Sequence, residues 1–374
     1  MKLTIDQQSF QEIISRAQSV IEKKSTRPIL ENILLSTADN VLVVSATDLR
    51  ISLTQSCPCS TQKEGSISLA GRKLYEIVKE MPSGEMTLEV KENEWVTITG
   101  HKSTFHLPGT PVAEFPTIPR APENYAILSA EVFDRMVTKT LFAASNDETR
   151  IYLCGVYFKE WQNEKGESFL KMVSTDGHRL SLVDNRLETT LNLFGEGAIV
   201  PKKGVTEMKS LLSFSPEGKM KIACEDGKIF ASMGDITLSV TLIDASFPNY
   251  SQVIPKITGE GVTVDCGEFR DALRRVSILS DQETNSVLME ISGSELKLAS
   301  DSPSQGDASE SMAVKYKGPD LKAAFNARYI LDILRVMEDE SLRMEIRDSL
   351  SPTLFVGLDK DCDFLSVVMP MRID

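Results

Sequence analysis

One strand-and-helix pattern occurs three times in the sequence, and this repeat limits the possible fold more than any other feature. Each copy has a short strand-like start, a polar stretch typical of a helix cap, and then a phenylalanine with apolar residues three and four positions later. The phenylalanines are Phe10, Phe133 and Phe269, which lie 123 and 136 residues apart. These periods have the size of a domain and exceed a solenoid repeat of about 20–45 residues. The 374 residues therefore predict three similar domains.

A second predicted helix and a proline-containing end segment also recur in each copy. The second helices start near residues 71, 201 and 326, and each is followed by the alternating apolar and polar residues of a strand. We place the boundaries near 124 and 257, which gives domains 1–124, 125–257 and 258–374. Each domain then has two helices and many strands, which indicates an α+β fold with the helices on one side of antiparallel sheets. The repeat either serves folding alone or builds a curved, quasi-symmetric arc.

The net charge of −13 argues, at first, against a protein that coats nucleic acid, because phosphate binding depends on Lys and Arg. The charge is unevenly distributed, however. The third domain alone carries −9. The predicted helices together carry +5, against −18 for the rest of the chain; they are residues 6–24, 71–81, 131–145, 201–212, 267–280 and 326–337. If the helices share one surface, that surface is electropositive and would contact duplex DNA weakly and without sequence preference. The alternative is that these basic residues simply lie on solvated helix faces.

The sequence shows no motif that is typical of catalysis or metal binding. It has three histidines, and the phosphate-loop, dinucleotide-binding, zinc-protease and nucleophile-elbow motifs do not occur. The string Thr175-Asp-Gly-His-Arg-Leu180 brings together an acid, an imidazole and a guanidinium. It indicates a structural turn or a binding rim, and an enzyme with its active site around His178 is the alternative.

The cysteines and the apolar residues indicate a cytoplasmic location. The six cysteines are scattered, which is typical of reduced thiols and not of a disulfide framework. No apolar stretch approaches the roughly 18 residues of a membrane span, and the N-terminus has no apolar signal core.

Seven short motifs are spread along the whole chain. They are Thr47-Asp48-Leu49, Thr175–Leu180, Val200-Pro-Lys-Lys-Gly204, Phe247-Pro-Asn-Tyr250, Phe325-Asn326, Tyr329-Ile330-Leu331 and Val367-Val-Met-Pro-Met-Arg372. Together they resemble the bacterial DNA polymerase III β subunits, the family of replicative sliding clamps. The strings TDGHRL and VVMPMR are specific when both occur at this separation.

The resemblance implies a fold and a function. Members of the family have three copies of one α+β domain, and two subunits join head to tail into a homodimeric ring of six domains whose helices line the hole. Such a ring is a DNA replication processivity factor: it encircles duplex DNA and tethers the DNA polymerase III α subunit, the clamp loader and other clamp-binding-motif proteins. The resemblance implies a non-catalytic subunit of the nucleotidyltransferase holoenzyme, without cofactor or metal.

The resemblance also implies a hydrophobic pocket between the second and third domains that binds short linear peptides from partners. Met side chains adapt to varied ligands, and a concave apolar site with a few polar groups can orient a peptide. For Met369 and Met371, packing in the core is the alternative. The implied pocket residues are Leu153, Thr175, Gly177, His178, Arg179, Leu180, Pro248, Val253, Asn326, Tyr329, Val367, Met369, Pro370, Met371 and Arg372.

Two further sets of residues follow from the same resemblance. For each basic residue taken singly, a solvated surface position is the alternative. The implied DNA-binding residues are Lys24, Arg72, Lys73, Arg150, Tyr152, Lys202 and Lys203. The implied dimer interface places Phe105 and Leu107 of one subunit against Ile278 and Leu279 of the other, with Asp307 and Glu310 facing Lys73 or Lys102.

Four positions depart from the family pattern. Gln252 stands where a basic residue is frequent, and Pro352 stands where small polar residues are common. Lys24 replaces a frequent arginine, so a bidentate phosphate contact is not expected there. Asp374 is one residue beyond the usual end. We therefore expect a peptide preference that differs from that of relatives.

Besides a clamp and an enzyme, a third hypothesis is a monomeric scaffold that does not bind DNA.

Overall fold

The computed structural model describes residues 1–21, 26–214, 218–258, 261–358 and 364–372. The chain divides into two compact units. Unit 1 consists of Met1–Glu131 and Thr206–Leu242, and unit 2 consists of Val132–Val205 and Ile243–Asp374. Both units combine helices with antiparallel sheets, so the predicted α+β class is confirmed.

The first predicted domain begins with a capped helix. The Asp6 carboxylate accepts a hydrogen bond from the Ser9 backbone N at 2.9 Å, and the repeated Phe10 is fully buried one turn into the helix. The helices are α1 (Gln7–Val20) and α2 (Gly71–Glu80), which pack together. The strands are β1 (Lys2–Asp6), β2 (Asn32–Ala38), β3 (Val41–Thr47), β4 (Ile51–Pro58), β5 (Ser60–Lys63), β6 (Gly65–Ala70), β7 (Glu85–Val90), β8 (Trp95–Gly100) and β9 (Ser103–Pro108).

The second predicted domain repeats this order. Phe133 is fully buried, with its ring centroid 6.5 Å from that of Phe158. The helices are α3 (Ala130–Thr140) and α4 (Lys202–Leu211). The strands are β10 (Ala126–Ser129), β11 (Gly155–Gln162), β12 (Ser168–Thr175), β13 (Arg179–Arg186), β14 (Ala198–Pro201), β15 (Lys219–Glu225), β16 (Lys228–Met233) and β17 (Ile236–Thr241).

The third predicted domain has the same order again. Phe269 is fully buried, and Asp265 and Asn326 cap the two helices by accepting hydrogen bonds from backbone N–H groups. The helices are α5 (Cys266–Val276) and α6 (Ala327–Val336). The strands are β18 (Val262–Asp265), β19 (Ser286–Ser292), β20 (Glu295–Ser302), β21 (Gly306–Ala313), β22 (Leu321–Asn326), β23 (Ser341–Glu345), β24 (Thr353–Gly357) and β25 (Phe364–Val368).

Each unit holds one long sheet that joins two consecutive predicted domains. In unit 1 the order among the described residues is β10-β15-β16-β17-β4-β3-β2-β6, and in unit 2 it is β14-β11-β12-β13-β25-β24-β23-β18. A smaller sheet completes each unit, β5-β1-β7-β8-β9 in unit 1 and β21-β20-β19-β22 in unit 2. The domains are therefore joined by backbone hydrogen bonds between β4 and β17 and between β13 and β25.

We call the β4–β17 pairing the first joint and the β13–β25 pairing the second joint. The two joints use equivalent residues in the same register. Ile51 of β4 lies opposite Val240 of β17, and Arg179 of β13 lies opposite Val368 of β25. Both members of the second pair lie 128 positions after their counterparts in the first pair. The internal repeat therefore extends to individual strand positions, and side chains at the two joints can be compared one by one.

The predicted helices are present with small differences at their ends. The first was expected to reach residue 24, but α1 ends at Val20 and residues 22–25 lie outside the described part. The third was expected to reach residue 145, but α3 ends at Thr140 and continues as the 3₁₀ segment Leu141–Ala143. Within the described ranges, no helix has the length and apolar character needed to span a membrane.

Candidate functional site

The string Thr175–Leu180 forms a rigid turn between β12 and β13 in unit 2. The Thr175 hydroxyl donates to the Arg179 carbonyl at 2.6 Å and accepts from the Gly177 N–H at 3.1 Å. The Asp176 carboxylate accepts from the backbone N–H groups of His178 and Arg179 at 2.9 and 3.0 Å. The side chains of Thr175 and Asp176 therefore stabilise the turn through hydrogen bonds to its backbone.

The backbone conformation favours glycine at position 177. Its φ of +93° lies in the left-handed region that other residues rarely adopt. A Cβ on Gly177 would also lie 2.9 Å from Nη1 of Arg150. The Arg150 side chain therefore lies close to the turn. Its Nε donates a hydrogen bond of 2.9 Å to the Asp147 carboxylate.

Arg179 links the turn to α6 and to the segment after α3. Its Nε donates to Asp176 at 3.0 Å, its Nη1 donates to Asp332 at 2.5 Å, and its Nη2 donates to the Phe142 carbonyl at 2.7 Å. The guanidinium carbon also lies 4.5 Å from the centroid of the Tyr329 ring. Burial, together with the nearby Asp176 carboxylate, raises the pKa of the Tyr329 phenol.

The C-terminal segment lies beside this turn. Val367 lies opposite Leu180, after which the Met369 N–H donates to the His178 carbonyl at 2.8 Å. The Met371 N–H donates to the Ala324 carbonyl at 2.7 Å. Met369 is 37 % exposed, so packing in the core does not describe its side chain.

An apolar cluster supports the turn and the C-terminal strand. Phe247 stacks on Tyr157 with centroids 4.9 Å apart, and Tyr250 packs beside both rings. Burial raises the pKa of Tyr250 to about 12. The buried members of the cluster are Val173, Leu180, Leu182, Leu354, Val356 and Val367.

The remaining implied pocket residues have varied environments. Pro248 and Arg372 are exposed, Pro370 is half-buried, and Leu153 is buried at the end of the 3₁₀ segment Glu148–Leu153. Asn326 donates through Nδ2 to the Thr284 carbonyl at 2.9 Å. The contacts described above bring together Thr175, Gly177, His178, Arg179, Leu180, Tyr329, Val367, Met369 and Met371.

A cavity of about 740 Å³ in the same unit shares one residue with the implied pocket. Val253, which is 44 % exposed, belongs to both the implied pocket and the cavity lining. Gln252 and Pro352 also line the cavity, so two of the departures from the family pattern occur at its wall.

Two partners of Arg179, Asp332 and Phe142, were not predicted from the sequence. Asp332 lies one helical turn after Tyr329 on α6 and so shares its face, which could have indicated it.

Several residues of the implied DNA-binding set already make contacts within the chain. Arg72 and Lys73 are exposed on α2, and both pair with Glu76, at 3.0 and 2.8 Å. The Lys202 ammonium donates to the Ala144 carbonyl at 3.1 Å and to Asn146 Oδ1 at 2.9 Å.

The environment of Lys202 differs from that of Lys203. Burial, followed by the positive charge of Arg179, lowers the pKa of Lys202. Lys203 is exposed and Tyr152 is half-buried. Lys24 lies outside the described residues.

The implied dimer residues lie on β9 and β21, which are edge strands of the smaller sheets, and on the 3₁₀ segment Ser277–Leu279. Phe105 is 36 % exposed on β9, where Leu107 is half-buried. Ile278 is 72 % exposed just after α5, and Leu279 beside it is half-buried. Asp307 is exposed on β21.

The other acidic residue implied on β21 has a partner in its own chain. Glu310 accepts two hydrogen bonds from Arg275, at 2.9 and 2.5 Å. Lys73 likewise pairs with Glu76 of its own chain. A contact between Glu310 and Lys73 of two subunits would therefore require both ion pairs to rearrange.

Three family models match the chain one after another. The models describe the N-terminal, central and C-terminal domains of the DNA polymerase III β subunit, and they match residues 1–119, 127–249 and 251–372. The chain belongs to the DNA polymerase III β-subunit family. The three-domain clamp fold and the non-catalytic class are thereby confirmed, whereas the boundaries near 124 and 257 stay predictions.

Full-length relatives of this β subunit agree in sequence and in structure. The chain is 32 % identical to the beta sliding clamp of Pseudomonas putida and 33 % identical to that of Caulobacter vibrioides, with complete coverage of both proteins. It matches the solved Caulobacter crescentus pol III beta at a TM-score of 0.94 and 32 % identity, covering 100 % of each chain. A griselimycin-bound sliding clamp from Bartonella birtlesii matches at a TM-score of 0.93 and 32 % identity, again with full coverage of each chain.

Proposed function

We propose that this β subunit is the processivity clamp of DNA replication. Two copies form a head-to-tail ring of six domains that encircles duplex DNA in the cytoplasm. The ring tethers the DNA polymerase III α subunit, the clamp loader and other proteins through the pocket around Arg179 and Met369. The subunit catalyses no reaction.

The strand order supports the ring. In domain order, β4, β13 and β21 are equivalent strands, and so are β9, β17 and β25. The chain pairs β4 with β17 and β13 with β25, and in the described sheets β21 and β9 each lie at an edge. A second copy in head-to-tail orientation supplies the missing third joint, β21 against β9, at both ends.

The register of the third joint follows from the first two. Ser174 and Ser300 each donate to the carbonyl at the end of the preceding long helix, and their strand partners are Ser181 and Ala308. Ser181 pairs with Ser366 across the second joint, and the position equivalent to Ser366 on β9 is Phe105. From the repeat we infer that Phe105 of one subunit lies opposite Ala308 of the other.

We call the proposed pairing of β21 with β9 of the other subunit the seam. The apolar residues beside the seam are consistent with this register. Phe105 extends from the face of its sheet that carries the buried Ile98, its partner on β8. Ala308 lies opposite Ser300, which is buried and bonded to the end of α5, so both residues are on the helix side. Ile278 follows α5 directly and contacts this region as an exposed apolar side chain. Burial of such side chains stabilises the seam by about 25 cal/mol per Å² of apolar surface removed from water.

DNA contacts are proposed to be weak and independent of sequence. Arg72, Lys73 and Lys203 are exposed on helices, while the net charge of the chain is −13. A mildly basic helix surface attracts phosphates, and the acidic remainder opposes tight coating of DNA. The ring then holds DNA by enclosing it, and sliding needs no bond to be broken.

The geometry does not favour the alternative of an enzyme around His178. The Asp176 carboxylate is engaged with two backbone N–H groups and with the Arg179 side chain. A general base must be able to reach and accept a substrate proton, and this carboxylate is committed to the turn.

Retention on DNA combined with sedimentation tests the proposal. We expect a dimer that stays on closed circular duplex after loading and leaves linear duplex through its ends. Ile278→Glu and Phe105→Glu should each shift the protein to a monomer and abolish retention. Leu350→Glu is the matched control, because Leu350 is 70 % exposed and lies away from both edge strands. Equal release from circular and linear DNA, or an intact dimer in both variants, would contradict the ring.

A further inference from the structure

The two joints within the chain differ in the chemistry of equivalent side chains. At the second joint the outer sheet face carries Val173, Leu180, Leu182 and Val367, all buried in one apolar cluster. The equivalent positions of the first joint, 128 residues earlier, are occupied by Ser45, Ser52, Thr54 and Ser239. One scaffold therefore presents an apolar surface at one joint and a hydroxyl-lined surface at the other.

A cavity of about 610 Å³ lies over the hydroxyl-lined surface, within unit 1. The segment after β9 covers it, and Phe115 of that segment is buried. A second cavity of about 370 Å³ adjoins the first, since both are lined by Ser52, Thr117, Pro119 and Arg120. Volumes of roughly 300–1,000 Å³ are typical of sites for small molecules.

The hydroxyls at the floor of the cavity have unused hydrogen-bonding capacity. Ser45 bonds Thr54 at 3.3 Å, and Ser52 bonds Thr47 at 2.8 Å, which uses one bond of each hydroxyl. Ser239 is 96 % buried, and its hydroxyl has no hydrogen-bond partner among the described residues. The Ser239 oxygen is not among the fully enclosed unpartnered atoms of the described residues, so it is accessible from the cavity to a ligand oxygen or to water.

The spacing of these hydroxyls suits a ligand with several oxygens. Ser239 lies directly opposite Ser52, and Thr237 lies directly opposite Thr54, on adjacent strands. Opposite residues on one sheet face are about 5 Å apart. A compact ring with neighbouring hydroxyl groups can therefore bond two or more of these side chains at once.

One exposed cation, Arg120, lies at the mouth of the first cavity, where the second cavity adjoins it. Arg120 is exposed, lines both cavities, and makes no ion pair with any residue that the structure describes. Lys228 lines the second cavity together with the acidic residues Glu225 and Asp226. Guanidinium groups bind phosphate in a bidentate manner. The first cavity is lined by no Asp or Glu among the described residues, so its floor does not repel an anion.

We propose that this cavity binds a hydroxylated sugar ring that carries a phosphate group. The ring hydroxyls bond Ser239 and Ser52, and the phosphate contacts Arg120 at the mouth. A free sugar phosphate and a nucleoside monophosphate share this chemistry. The site is separate from the peptide pocket, which lies at the other joint.

Calorimetric titration of the full chain tests the proposal with four probes: ribose 5-phosphate, adenosine monophosphate, ribose and inorganic phosphate. We expect saturable binding of one or both phosphorylated sugars, with at least tenfold weaker binding of ribose and of phosphate alone. Tighter binding of ribose 5-phosphate identifies a sugar-phosphate site, and tighter binding of adenosine monophosphate identifies a nucleotide site.

The internal repeat supplies the variants. Ser239→Val introduces the residue found at the equivalent position of the second joint, and Arg120→Gln removes the charge at the mouth. Each should weaken binding at least tenfold, whereas Arg347→Gln, at an exposed arginine of unit 2, should leave it unchanged. The methyl resonances of Leu34 and Ile118, which line the cavity, should shift on titration of the wild type.

Three results would each overturn the proposal. The first is the absence of saturable binding by both phosphorylated sugars. The second is equal binding of inorganic phosphate, because this would exclude a role for the ring hydroxyls. The third is unchanged affinity in Arg120→Gln, a surface substitution that does not disturb the fold.

Discussion

Replacing Arg179 by lysine should uncouple the two sides of the peptide pocket. The arginine side chain is 11 % exposed and contacts Asp176, Asp332 and the Phe142 carbonyl at the same time. Lysine keeps the positive charge, but its single ammonium group cannot span three acceptors that lie in different directions. Arg179→Lys therefore changes the geometry of the contacts while it preserves the charge.

The structure sets the size of the expected effect. A hydrogen bond to a charged group contributes about 1.5–3 kcal/mol, and lysine can keep about one of the three. The Asp332 side chain is 37 % exposed, so water replaces part of what it loses, whereas the Asp176 side chain is 17 % exposed. We expect the free energy of unfolding of this region to fall by about 2–4 kcal/mol. Because Tyr329 loses the cation above its ring, we expect peptide binding to weaken about tenfold, or ~1.4 kcal/mol.

A double-mutant cycle measures this coupling directly. Asp332→Asn, Arg179→Lys and the double variant are compared in urea unfolding and in peptide binding by fluorescence anisotropy. The chain has two tryptophans, so a Trp95→Phe background leaves Trp161 of unit 2 as the reporter. Arg274→Lys, at an exposed arginine on α5, is the control for a conservative change. Additive effects of the two substitutions, within about 0.5 kcal/mol, would refute the network.

Three other changes test separate parts of the molecule. The Glu160 carboxylate accepts hydrogen bonds from four successive backbone N–H groups, residues 191–194, so Glu160→Gln should lower the free energy of unfolding by about 2–4 kcal/mol in urea, and an unchanged midpoint would contradict this role. Deletion of residues 369–374 should abolish peptide binding and leave the dimer intact in ultracentrifugation, because β25 ends at Val368. Burial raises the pKa of Tyr250 to about 12, so its tyrosinate absorbance should appear above pH 11; the stability contributed by the neutral phenol is complete below pH 10 and lost as the pH rises through 12.

Local patterns in the sequence predicted the elements well, because each element depends on nearby residues. The phenylalanine repeat marked the first helix of each domain, and Phe10, Phe133 and Phe269 are all fully buried. The string around Asp176 was identified as a turn or binding rim, and its hydrogen bonds run between residues two to four positions apart.

Contacts between distant segments were harder to predict. Nothing in the periodicity of β4 indicates that its partner is β17, almost 200 residues later, since register and pairing are decided by the assembled sheet. The resemblance implied that Lys202 contacts DNA, which stays a prediction, but the bonds of its ammonium to Ala144 and Asn146 across the fold were not predicted. The hydroxyl-lined surface of the first joint was also missed, because Ser45 and Ser239 become neighbours of one cavity only when three strands are in place.

One helix position shows how the proposed dimer seam differs from the two joints within the chain. Six residues after the repeated phenylalanine, the long helices carry Arg16, Lys139 and Arg275. Arg16 lies 4.0 Å from the centroid of the Phe214 ring, and Lys139 pairs with Glu338 at 2.8 Å, so both cations reach the neighbouring domain.

The third cation, Arg275, forms its ion pair within its own domain and does not need a second subunit for it. Arg275 makes two hydrogen bonds to Glu310 on β21 of its own domain. Opening the second joint would break the ion pair between Glu338 and Lys139, whose side chain is 2 % exposed, whereas Arg16 at the first joint also pairs with Glu12 of its own helix. Opening the seam between subunits would leave the Arg275 pair intact. A ring that must open to admit DNA would therefore be expected to part at this seam and not at the joints inside each chain.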